Sequence, residues 1–153
     1  MPKMTVAKYL ADTLKAYGVT HVFFVPAVLR KSLAEMDMVG IKRGVTHGEK
    51  AAAYMADGYA RASNKVGVCM AQSVGAVNLA AGLQDAYLGL SPVLALTGHK
   101  SNLQQNRNAY QEIEHSKPFA STTKYSAVFD SANVLPGLLQ QAFLESNPGG
   151  PAQ

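Results

Sequence analysis

Short apolar runs alternate with helix-periodic segments about every 25 residues along this chain, a rhythm that leaves few folds open. HVFFVP (21–26) is β-branched and aromatic, and KVGVCMA (65–71) and PVLALT (92–97) are apolar almost throughout. Strands buried on both faces read this way. IKRGVT (41–46) is a weaker strand candidate and KYSAVF (124–129) a further one. The first helix is predicted over 5–17, where Val6, Leu10, Leu14 and Tyr17 recur at helical spacing and Gly18 supplies the stop. Others follow over about 28–38, from Glu49 onward, over 75–88, and around 134–146 with Pro136 near the first turn. Such alternation predicts an α/β fold, a doubly wound and mostly parallel sheet with helices on both faces.

One domain is the natural size for 153 residues. The closing SNPGGPAQ is made of turn residues which, by the same rhythm, lead into another strand. The expectation is therefore a domain lacking its last strand, residues 1–153 being a fragment of a larger multidomain enzyme.

Composition narrows the function classes. Apolar residues make up 48% and charged residues 16%, enough to bury a core. No apolar stretch reaches the ~18 residues of a membrane span. The net charge is +4, but the 14 Lys and Arg are scattered and not interleaved with aromatics, a solvated surface and not a nucleic-acid face. The single Cys69, inside an apolar run, reads as a small buried hydrophobe and fits a reducing cytoplasm. There is no GxxxxGKS/T loop and no three-glycine dinucleotide fingerprint, and the four histidines lie too far apart in sequence for a local metal pair. Spacing does not rule out a Ser-His-Asp triad, yet Ser73 sits in AQSVG and not in GxSxG, so nothing supports a nucleophile elbow.

In a parallel sheet, ligands gather at the carboxyl ends of the strands. That singles out loops 25–28, 47–49 and 72–75. Glu49 falls in the second of them, at the head of the alanine-rich segment HGEKAAAYMADGYARA. A lone glutamate there has a local explanation, the positive end of a helix dipole. Asn78, polar on the small-residue helix GAVNLAAG, reads either as a local hydrogen-bonding group or as one aimed at a ligand.

Taken together and in order, these segments carry more. The chain resembles the N-terminal pyrimidine-binding domain of thiamine-diphosphate enzymes of the acetolactate-synthase-like superfamily. The resemblance rests on YGVTHVFFVPA (17–27), HGEKAAAYMADGYARAS (47–63), VGVCMAQSVGAVNLAAGLQDAYLGLSPVLALTGH (66–99), NAYQEIEHSKPFASTTKYS (108–126) and GGPAQ (149–153). Nearly the whole chain is covered.

The resemblance implies a role for Glu49: the family glutamate hydrogen-bonds N1′ of the cofactor's pyrimidine. It thereby favours the 4′-imino form that removes the C2 proton of the thiazolium. Such a carboxyl is expected to be poorly solvated. Also implied as cofactor-binding are Val25, Pro26 and Ala27 after the first strand, Gln72, Ser73 and Val74 after the third, Asn78, and Gln111 as an active-site glutamine. A homo-oligomer, a dimer or dimer of dimers, would carry the site at its subunit interface. Mg2+ and the diphosphate would be held by a second domain in the same or another chain. The alternatives are a naturally short subunit of a two-chain decarboxylase and a non-catalytic module that keeps the fold. The chain departs from the family at Pro26-Ala27-Val28, where Pro-Gly-Gly is frequent, at QSVGAVN, shortened from TSGPGATN, and at Gly48, inserted between His47 and the glutamate. These changes surround the reacting groups and bear on substrate class.

Overall fold

The computed structural model describes residues 4–26 and 29–147. Four strands, β1 (His21–Phe24), β2 (Lys42–Val45), β3 (Gly67–Gln72) and β4 (Val93–Gly98), form one sheet in the order β2-β1-β3-β4, every pair parallel. Six helices connect and cover them: α1 (Val6–Ala16), α2 (Arg30–Met38), α3 (Glu49–Ser63), α4 (Gly75–Leu88), the short α5 (Ser116–Phe119) and α6 (Leu135–Ser146). The expected α/β architecture is present. No helix among the described residues is long and apolar enough to cross a membrane.

Strand pleating sorts the core into two layers. Val22 and Phe24 of β1 and Val68 and Met70 of β3 point to one face, where α1, α2 and α6 supply Leu10, Leu14, Leu33, Met36, Leu139 and Phe143. Phe23, Cys69 and Ala71 point to the other, covered by Ala52, Ala53 and Ala56 of α3 and Ala76, Leu79 and Ala80 of α4. The second layer is thin because it is built from alanines. A Cβ added at Gly67 would lie 2.1 Å from the Ala56 carbonyl oxygen, and one at Gly82 would lie 2.8 Å from the Lys50 carbonyl oxygen. Helices α3 and α4 thus lie close to the sheet and to each other. Their first turns meet, and that places the site.

Cys69 is buried, and burial pushes its thiol up to about 12. It is a core residue, as its apolar surroundings in the sequence suggested.

The structure departs from the sequence reading at two places. Residues 124–129 form no strand: Lys124 pairs with Glu145 of α6 at 3.1 Å, Val128 and Phe129 are exposed, and the segment joins no ladder. A strand-like composition becomes a strand only where backbone partners are within reach. Val128 instead lines, with Asp130, His99, Asn102 and Gln105, an open hollow of about 300 Å³. The second departure is α5, which nothing in the sequence foretold. The helix predicted over 28–38 is found from Arg30, Val28 lying outside the described residues.

Candidate functional site

All four strands run the same way, so the turns that follow them share one edge of the sheet. Between β1 and β3 the strand order reverses: from β1 the chain moves outward to β2, and from β3 outward to β4. The connections leave toward opposite faces there and open a crevice, the usual ligand position in an open α/β sheet. Val25 and Pro26 end β1 on one side of it, half-buried and exposed respectively. Gln72, Ser73 and Val74 end β3 on the other. The two sides touch where the Leu29 N–H reaches Gln72 Oε1 at 3.4 Å. Ala27 lies outside the described residues.

Glu49 is the first residue of α3. Thr46 fixes the approach, its N–H donating to the Phe24 carbonyl at 2.8 Å and its hydroxyl to the Gly48 carbonyl at 2.9 Å. Gly48 is extended and offers no side-chain cap, leaving the helix N-terminus to the Glu49 carboxylate. That carboxylate turns toward α4. Asn78 Nδ2 donates to Glu49 Oε2 at 3.2 Å, and a Cβ on Gly75 would lie 2.5 Å from Oε1. A glycine is thus required for the carboxylate to sit where it does, and the asparagine one turn along the helix orients it. Glu49 is half-buried, less sealed than the sequence suggested, because it stands at the rim of the sheet with Val74 and Asn78 exposed beside it.

Ser73 carries the turn beneath. It is 2% exposed and adopts the left-handed conformation, φ 51°, rare for a residue with a side chain. Its N–H donates to the Gly98 carbonyl at 2.8 Å and its own carbonyl accepts from Ala76 N–H at 3.0 Å, tying the turn to β4 and α4. Further along the α3–α4 seam, Tyr54 donates to Asp85 at 2.6 Å. That hydrogen bond, with the Asp85 charge, holds the tyrosine above its ordinary value. Burial works to raise Asp57, but the Arg61 hydrogen bond at 2.8 Å and its charge outweigh it, and Asp57 stays below the usual carboxylate range. The Tyr54–Asp85 hydrogen bond ties α3 to α4, whereas the Asp57–Arg61 pair lies within α3.

The structure therefore joins Glu49 and Asn78 directly, with Gln72, Ser73 and Val74 on the same turn. Gln111 stands elsewhere: left-handed at φ 60°, it donates to Tyr110 Oη at 3.3 Å, in the long loop after β4. Gly75 went unrecognised in the sequence. Its signal was a glycine at the first position of a small-residue helix, where no turn demands one. Also missed was the approach of His99 and His115, 16 residues apart in sequence, whose rings stand edge to face with centroids 6.0 Å apart. Among the described residues no three His, Cys, Asp or Glu gather as metal ligands.

Gly75→Ala separates position from stability. The atom it displaces is the end of a flexible side chain, and alanine gains about 1 kcal/mol of helix propensity over glycine. Thermal denaturation should be little changed, whereas the Asn78 side-chain amide signal should shift in an NMR spectrum as Glu49 leaves it.

Residues 4–118 match the family described as "Thiamine pyrophosphate enzyme, N-terminal TPP binding domain". Over 97% of the chain it is 36% identical to an acetolactate synthase from Arthrospira platensis, of which the match covers 27%. It is 37% identical, again over 97% of its length, to a probable acetolactate synthase large subunit from Methanocaldococcus jannaschii (25% covered). The same 37% and 97% hold for the acetolactate synthase isozyme 2 large subunit of Escherichia coli (27% covered). The chain thus spans about a quarter of the length of these relatives. With a carboxylate cradled at the switch point of a parallel sheet, it belongs to the thiamine pyrophosphate enzyme family and corresponds to the family's N-terminal domain.

Proposed function

We propose that this chain is the pyrimidine-binding part of a thiamine-diphosphate enzyme of the acetolactate synthase kind. Such an enzyme makes or breaks a carbon–carbon bond beside the carbonyl of a 2-keto acid or related substrate. The observation that carries this reading is the Glu49 carboxylate, held by Asn78 over a glycine that leaves it room, at the carboxyl edge of the sheet. The residues present fit a pyrimidine ring. A half-buried carboxylate offers the polar partner and exposed Val74 an apolar surface beside it.

Thiamine diphosphate, when bound, supplies a carbon nucleophile and an electron sink. With the cofactor bound, Glu49 would hold and return a proton at its carboxylate, which is general acid–base work. Asn78 orients Glu49 by occupying Oε2, and the Ser73 turn keeps Gly75 beside Oε1. Val25, Pro26 and Gln72 bound the crevice across the switch point. Mg2+ and the diphosphate belong to a second domain in this reading. Tyr54 and Met55 on α3, Val77 on α4 and Val74 at the turn before α4 expose apolar surface. That supports a homo-oligomer, a dimer or dimer of dimers, closing over the site.

Ligand linkage tests the reading. In the protein assembled with its diphosphate-binding domain, thiamine diphosphate at about 100 times Kd should stabilise the fold by about 2.7 kcal/mol. The increment should shrink in Glu49→Ala. No thermal shift at any concentration would contradict the assignment.

A further inference from the structure

Between β4 and α5 the chain runs from His99 to His115 without a helix or strand. A connection that long in a compact domain is usually either functional or disordered. This one is ordered by its own hydrogen bonds. Gln105 Nε2 donates to the Lys100 carbonyl at 2.9 Å and to Asn102 Oδ1 at 3.2 Å, and the Gln104 N–H donates to the Ser101 carbonyl at 2.8 Å. One side chain holds the second half. The Glu112 carboxylate accepts from the Asn106 N–H at 2.6 Å through Oε1 and from the Ala109 N–H at 3.2 Å through Oε2. The Glu112 N–H donates back to the Ala109 carbonyl at 2.9 Å. Hydrogen bonds from backbone amides to a carboxylate are of the stronger, charge-assisted kind, so Glu112 staples residues 106–112 together.

The stapled turn is not shaped for packing. Asn106, Asn108 and Gln111 are left-handed, at φ 60°, 52° and 60°. Asparagine visits that region readily, whereas glutamine does so rarely. The Gln111 side chain is exposed and donates to the hydroxyl of Tyr110, itself 81% exposed. Backbone strain of this kind persists where neighbours enforce it, and it gathers at ligand clamps. The enforcing neighbour here is the next residue, Glu112.

The loop leaves the carboxyl end of β4, the strand beside β3, so it stands on the same sheet edge as Glu49. We propose that Glu112 is a positioning residue whose carboxylate fixes the 106–112 turn and so holds Tyr110 and Gln111 preformed for a substrate bound at that edge. A phenol and a carboxamide each donate and accept hydrogen bonds, which suits the carbonyl and carboxylate oxygens of a 2-keto acid. The substrate takes the place of the 3.3 Å contact that the two side chains make with each other. Because the turn is already shaped, little ordering remains to oppose binding. The substrate class rests on the functional reading given above; the staple itself does not.

The protein assembled with its diphosphate-binding domain tests both parts. Amide hydrogen exchange reads the staple: Asn106 and Ala109 should be protected in the wild type and exchange about 10-fold faster in Glu112→Ala. Glu112→Gln keeps one acceptor oxygen and should fall between the two. Turnover of pyruvate and of phenylglyoxylate, a small and a bulky 2-keto acid, reads the use of the turn. Glu112→Ala should raise KM for the substrate turned over by about 10-fold, with kcat and the Kd for thiamine diphosphate changed less than about twofold. In a chain already carrying Tyr110→Ala and Gln111→Ala, adding Glu112→Ala should leave KM within about twofold, because the groups it positions are gone. Unprotected Asn106 and Ala109 amides in the wild type, or equal exchange in Glu112→Ala, would overturn the staple. Faster exchange with an unchanged KM would overturn the positioning role, as would a full further rise in KM in the chain lacking both side chains. A wild type that activates the cofactor yet turns over neither keto acid would overturn the substrate class and the positioning role with it. Full cofactor activation in Glu49→Gln would instead sink the functional reading while leaving the staple measured.

Discussion

Glu49→Gln is expected to lower the turnover of an enzyme carrying this chain by about 10²–10⁴-fold, the range for losing a positioned acid–base group. The substitution is close to isosteric. Its amide oxygen can still accept from Asn78 Nδ2, so the 3.2 Å contact and the first turn of α3 should survive. What is lost is the ability to hold and return a proton. The far-ultraviolet circular dichroism spectrum should match the wild type, and steady-state kinetics should place the loss in kcat. A helix cap would behave otherwise. Replacing a carboxylate that only complements the dipole costs about 0.3–1 kcal/mol of stability and leaves turnover alone.

Gly67→Ala carries the second large effect, on the fold. Gly67 begins β3 under α3, and an added Cβ would lie 2.1 Å from the carbonyl oxygen and 2.7 Å from the carbonyl carbon of Ala56. Both are backbone atoms inside a helix, so no side chain can swing aside. Strand and helix must separate, at a cost of about 3 kcal/mol, the upper end for overpacked cores. For a chain of this length that lowers Tm by about 6–12 °C. Thermal denaturation checks it. An unchanged Tm would show that the alanine layer is looser than described. The contrast with Gly75→Ala is physical: one glycine faces backbone, the other faces the end of a glutamate.

The same distinction explains what the sequence disclosed. HVFFVP, KVGVCMA and PVLALT were legible as strands because a strand buried on both faces has a composition of its own, independent of its neighbours. Their parallel direction followed from the helices between them, whereas the order β2-β1-β3-β4 comes from the structure. Glu49 was legible as a residue at a strand's carboxyl end, and the ordered blocks around it gave the family. Its partnership with Asn78, 29 positions away, was not, because only the packed α3–α4 seam brings the two together. Gly75 was hidden for the same reason: its role is the space it leaves, and space belongs to the fold. KYSAVF misled because a strand-like composition does not say whether a partner strand pairs with it. His115 carried no local signal at all, since Thr97 at the end of β4 and His99 just after it meet it from a distant part of the sequence.

Hydrogen–deuterium exchange at C2 of bound thiamine diphosphate, in wild type and in Glu49→Gln, tests the role of Glu49 most directly, because it reads cofactor activation without substrate. The assembled protein should exchange this proton faster than the free cofactor, and Glu49→Gln should slow it by about 10²–10⁴-fold with the cofactor still bound. Equal exchange in the two proteins at full occupancy would contradict a proton-holding role for Glu49 and return it to the status of a helix cap.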